Sequence, residues 1–132
     1  MEVEQAKTVA RQVSVDLNAA ADEILELSTT LAENNREFSA FKDEMAAYEA
    51  EARVDASQIN PQTGKPFYPN VDAQAAAVLL TLNKSEKYRV RRNAMRDLTM
   101  QIEIRKAKLL RLHEQRRDIK TETDIILGLT TL

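Results

Sequence analysis

The sequence predicts an all-α fold: a long antiparallel coiled-coil helical hairpin with a short helix near the turn. Three observations predict it. An apolar residue recurs at alternating spacings of three and four through the first 52 residues, and a 3.5-residue repeat sustained that far is a coiled-coil seam rather than an ordinary amphipathic stripe. The residues that stop helices gather in one central stretch. The chain has only two Gly and three Pro, too few for the many turns of a sheet protein. At 132 residues it is a single domain by size.

The first element is a helix over 3–58. Its seam is Val3, Ala6, Ala10, Val13, Leu17, Ala20, Ile24, Leu27, Leu31, Asn34, Phe38, Phe41, Met45, Tyr48 and Ala52. A helix with such a stripe must pack on another long helix. Leu17, Ile24, Leu27, Leu31, Phe38, Phe41, Met45 and Tyr48 are the expected core and assembly residues. Asn34 is the one polar seam residue. It either fixes register from a buried position, as a seam Asn does at some cost in stability, or faces water at a loosening.

A loop over 59–71 follows, because Pro61, Gly64, Pro66 and Pro69 end one helix and forbid another. Phe67 and Tyr68 are expected to fold back and cap the helical core. Asn70 or Asp72 then caps a short helix over 72–82. Asn83 followed by Glu86 resembles a capping box, so a further helix is expected over 84–127, stopped by Gly128. A single unbroken helix over 72–127 is the alternative.

The last helix has a poorer seam: Tyr88, Arg91, Met95, Leu98, Ile102, Arg105, Leu109, Leu112, Arg116, Ile119, Thr123 and Ile126. Three of these are arginines, whose stems can lie along a seam while their heads reach water. Val90, Ile104 and Leu110 form a partial second stripe, which points to more than one neighbour. The short loop sets the two long helices antiparallel. An uncovered second stripe predicts a homo-oligomer.

Charge is divided along the chain. Residues 1–58 carry 13 acidic and 5 basic side chains, and residues 84–120 carry 5 acidic and 13 basic. Opposite arms favour pairing of the two helices. However, Asp16, Glu23, Glu37, Glu44 and Glu51 fall at position g of the first heptad, and Arg92, Lys106 and Lys120 at position e of the last helix. Such g–e pairs suit parallel helices, which hints at contacts between subunits.

Little in the sequence points to catalysis. There is no Cys and only one His, His113, so neither a disulfide, a thiolate zinc site nor a His cluster can form. The Glu-x-x-His spacing of a di-iron bundle is absent. Gly64-Lys65 is followed by Pro66, which is not a phosphate-binding loop. Thr63-Gly64-Lys65-Pro66 has the look of a zinc-finger linker but has no Cys to serve. Asp22-Glu23 and Asp43-Glu44 are sequence neighbours that point apart on a helix. The expectation is a protein that is not an enzyme, with no cofactor and no small-molecule substrate. No apolar run approaches a membrane span of roughly 18 residues, and Met1-Glu2-Val3-Glu4 lacks the basic start of a signal peptide. A soluble, cytoplasmic protein is expected.

The basic arm is the functional candidate. Arg89, Arg91, Arg92, Arg96, Arg105, Lys106, Lys108, Arg111, Arg116, Arg117 and Lys120 give a dense positive helix, rich in the arginine that suits bidentate phosphate contact. Either these charges bind nucleic-acid backbone, with strong salt dependence, or they pair with the acidic first helix. Tyr88, Phe67 and Tyr68 are the few aromatics available for stacking.

The stretch Thr63-Gly64-Lys65-Pro66-Phe67-Tyr68-Pro69-Asn70-Val71-Asp72-Ala73-Gln74-Ala75, then Leu82-Asn83-Lys84-Ser85-Glu86-Lys87-Tyr88 and a long charged helix, resembles small helical proteins of phages and mobile elements. Their genes often lie among recombination and replication genes. Residues 82–124 are also similar to the T-even phage recombination mediators, all-helical oligomers that help load a recombinase on single-stranded DNA. The resemblance covers roughly residues 60–124, and the first helix adds no motif to it. It implies an oligomeric accessory protein, binding single-stranded DNA and a recombination or replication protein, whose residues from Arg89 to Lys120 contact the phosphates. A structural or adaptor coiled coil that binds no nucleic acid is the other reading.

Overall fold

The structure, a computed structural model, describes residues 2–128. It is all-helical: α1 spans Val3–Ala56, α2 Val71–Lys84 and α3 Glu86–Ile126. Among the described residues there is no strand, and one isolated antiparallel bridge joins Ile59 to Pro66.

α1 contains no Gly or Pro and ends two residues earlier than expected. The Ser57 amide still donates to Arg53 O at 3.0 Å, and its hydroxyl donates to Val54 O at 2.8 Å. Beyond this the loop closes on its own main chain. Asn60 N donates to Lys65 O at 2.8 Å, Gly64 N to Asn60 O at 2.8 Å, and Phe67 N to Gln58 O at 3.2 Å. Gly64 supplies the left-handed residue at φ 68°, which a side chain would disfavour. The expectation that Phe67 and Tyr68 cap the core is corrected: they are 56% and 39% exposed. The backbone bonds already hold the turn without them.

α2 begins at Val71 because Asn70 is the cap. Its backbone is extended, and its side-chain oxygen accepts from Ala73 N at 2.7 Å. The helix breaks at Ser85, where ψ is 114°, so α2 and α3 are two helices. Ser85 serves both ends. Its N–H donates to Thr81 O and Leu82 O, and its hydroxyl accepts from Tyr88 N at 3.2 Å. Ser85 thus takes the capping role expected of Asn83, which lies inside α2. α3 ends at Ile126, with Gly128 at φ 67° donating to Ile125 O at 3.2 Å.

The residues divide into two compact units. One combines the described residues through Asn34 with those from Gln101 to Gly128, and the other is Asn35–Met100. In the first unit, Leu31, Ile102 and Leu112 are buried, together with Asn34. Arg105 donates to Asn34 Oδ1 at 2.6 Å, and Lys108 pairs with Glu23 at 3.5 Å. In the second, Ala52, Ala56, Ala77, Leu82 and Leu98 are buried, so small residues line much of its interior. There Arg91 pairs with Glu44 at 2.7 Å, and Tyr88 donates to Glu49 at 3.2 Å. Within each unit, α1 numbers rise as α3 numbers fall. Glu23 and Glu44 therefore meet Lys108 and Arg91, and no α1 carboxylate pairs with Arg92, Lys106 or Lys120 among the described residues.

The seams are recognisable in the burial pattern. Only Val3 and Ala10 of the α1 seam are exposed, and only Arg116 and Ile126 of the α3 seam. Val90, Ile104 and Leu110 of the second stripe are all exposed. Among the described residues, no helix is long and apolar enough to cross a membrane.

Burial first, then the hydrogen bond to Glu49 and the charge of that carboxylate, raise the Tyr88 pKa above its ordinary value of 10.0. Above the unfolded value the unfolded chain loses this proton while the folded protein keeps it. The stabilisation is therefore complete below that pH and lost as pH rises through the folded pKa. Tyr88→Phe is expected to blunt the fall in stability expected above about pH 10, as checked by denaturant unfolding at pH 8 to 11.

Candidate nucleic-acid interface

α3 carries every candidate phosphate contact, and its arginines and lysines divide by what they touch. Arg89 and Arg96 in the second unit are exposed, as are Lys106, Lys108, Arg111, Arg116, Arg117 and Lys120 in the first. Arg91, Arg92 and Arg105 are half-buried.

Arg91 is engaged twice, by Glu44 and by the Phe41 ring, whose centroid lies 5.3 Å from the guanidinium carbon. Arg105 holds Asn34 and also donates to Gln101 at 3.3 Å. Lys106 pairs with Glu103 on its own helix at 3.5 Å. The Arg92 Nε is buried without a hydrogen-bond partner among the described residues, so that atom does not face a ligand. Arg89, Arg96, Arg111, Arg116, Arg117 and Lys120 form no ion pair among the described residues. The pairs of Arg91 and Lys108 join side chains about half exposed and are worth only about 0–1 kcal/mol each.

Two surface features went unread in the sequence. In the first unit, His113, Arg116, Arg117 and Lys120 follow one another at spacings of three, one and three, which puts them on one helical face. With Leu17 of α1 they line a groove of about 410 Å³. Leu17 and Arg116 also border a groove of about 400 Å³, with Ala10, Val13, Ser14, Asn18, Thr123 and Leu127. The spacing was available in the sequence, but Leu17 joins it only through the register of α1 against α3. In the second unit, Arg53, Ala56, Ser57, Val71, Gln74, Ala75, Val78 and Leu79 line a groove of about 640 Å³. This one is mostly apolar, and Val71 is 80% exposed.

Among the described residues, no group of three or more His, Cys, Asp or Glu side chains is placed to hold a metal ion. No family model, curated protein or solved structure matches the chain.

Proposed function

We propose that this protein is an antiparallel coiled-coil hairpin that assembles into an oligomer and binds single-stranded nucleic acid through α3. It would act as a recombination or replication accessory of the phage type rather than as an enzyme. One observation carries the reading: Arg89, Arg96, Arg111, Arg116, Arg117 and Lys120 are exposed and unpaired among the described residues. Residues 1–58 and 84–120 carry opposite net charges of equal size, yet among the described residues the acidic stretch engages few of the cations. Arginines free in water, on a helix with few aromatics, suit a mainly electrostatic, sequence-tolerant contact with phosphates.

The test is fluorescence anisotropy of a labelled oligothymidylate across a salt series. Four to six phosphate contacts predict a slope of log affinity against log salt of about −3 to −4, at about −0.7 per contact on a single strand. Absence of binding at low salt, or binding indifferent to salt, overturns the proposal.

A second reading is favoured by the apolar groove of the second unit, where Val71, Ala75 and Leu79 are exposed beside a half-buried Val78. There the protein is a structural or adaptor coiled coil, and the charges serve assembly. It predicts one oligomer by light scattering on a sizing column, unchanged by oligonucleotide at either salt.

A further inference from the structure

The α3 seam contains three arginines, and two have partners built for them. Arg91 has Glu44 and the Phe41 ring, and Arg105 has Asn34 and Gln101. Arg116 has neither a hydrogen bond nor an ion pair among the described residues, and it is exposed although it falls at a seam position. A guanidinium cannot be buried unpaired without a large desolvation cost, so its head leaves the seam toward water. Opposite it, Leu17 is left half-buried, and both side chains border two adjoining grooves.

The groove on the His113 side has a definite chemistry. Three cations, Arg116, Arg117 and Lys120, stand with the His113 ring and the Leu17 side chain, and no carboxylate of the described residues lines it. Its volume of about 410 Å³ lies within the roughly 300–1,000 Å³ of small-molecule sites. Cations tracking a backbone beside a flat or apolar surface for a base are the two parts of a single-strand site.

Resting on the nucleic-acid reading above, we infer that this groove seats one nucleotide of the bound strand. The phosphates on either side of it bind Arg116, Arg117 and Lys120, and the base lies against His113 and Leu17. The cations of the second unit, Arg89 and Arg96, contribute only long-range attraction.

The experiment uses the full chain and a labelled oligothymidylate. Arg116→Gln/Arg117→Gln/Lys120→Gln is expected to weaken binding at least tenfold and to make the salt slope shallower by about 2, three contacts' worth. Arg89→Gln/Arg96→Gln is expected to change affinity less than about threefold, as charges without a phosphate contact would. His113→Ala is expected to lose about fivefold, and His113→Trp to recover it by stacking. A second measurement needs no variant: an iodouracil-substituted strand cross-linked to the native protein should label the peptide containing His113.

An unchanged slope in the Arg116/Arg117/Lys120 variant overturns the assignment, as does cross-linking confined to the peptide containing Tyr88. Displacement of the strand by inorganic phosphate at matched ionic strength would make the groove a free-phosphate site and overturns it too. Failure of the native protein to bind any strand brings down the nucleic-acid reading itself. Native binding that survives the variant brings down only the groove.

Discussion

Leu98→Ala is expected to lower the melting temperature by about 10 °C, while Leu110→Ala leaves it nearly unchanged. Leu98 is 5% exposed and Leu110 is 61% exposed. Both are leucines on α3, so the comparison isolates burial. Truncating a buried leucine removes its transfer free energy and leaves a cavity, typically costing about 2–5 kcal/mol. An exposed site costs within about 0.5 kcal/mol. A chain of this size loses a few degrees for each kcal/mol. The measurement is thermal unfolding by circular dichroism at one protein concentration, since assembly would otherwise shift the midpoint. Equal midpoints for the two variants would show that Leu98 is not a core residue.

The second large effect is expected at the buried polar contact of the first unit. Asn34 is 9% exposed, and its oxygen accepts from Arg105 at 2.6 Å. Asn34→Leu leaves a half-buried guanidinium with Gln101 as its one hydrogen-bond partner among the described residues and is expected to cost about 1.5–2 kcal/mol, the lower part of the range for a hydrogen bond to a charged group. Arg105→Leu on its own strands an amide that is more deeply buried. The double variant Asn34→Leu/Arg105→Leu replaces both by apolar surface and is expected to match the native protein or exceed it. The cost should appear instead as a mixture of association states, since a polar seam residue fixes register. A double-mutant cycle checks the coupling, and light scattering checks the mixture. Additive single effects would dismiss the contact as incidental. Arg105→Leu should also leave oligonucleotide affinity in place, because that side chain is committed to Asn34.

The helices were legible because their signals are local. The α1 seam from Val13 to Ala52 needed only a count of residues, and the loop needed only Pro61, Gly64, Pro66 and Pro69. Caps were harder. Asn83 and Glu86 have capping-box spacing, yet the break falls at Ser85, whose hydroxyl caps Tyr88 without a Glu at the matching position. Phe67 and Tyr68 misled because aromatic burial is an average tendency, and a turn closed by main-chain bonds does not need them inside. The basic helix was visible as a run of charge. The distinction among its members was not, since whether Arg91 meets Glu44 while Arg116 has no ion-pair partner among the described residues depends on register. His113 and Leu17 are 96 positions apart in sequence, and no local pattern joins them.

The division of the chain has a consequence for how it folds. The unit Asn35–Met100 is one continuous stretch, and its pivot is the loop whose own main chain holds Asn60 to Lys65. Contacts close in sequence form early, because little loop entropy opposes them. The other unit joins two segments through the whole of that stretch, and its closure is slow unless the stretch has ordered first. A fragment covering residues 35–100 should therefore acquire helix by itself, whereas peptides 1–34 and 101–132, mixed without it, should remain largely unfolded. Substitutions near the loop would then slow folding, and substitutions around Leu31 and Leu112 would mainly hasten unfolding.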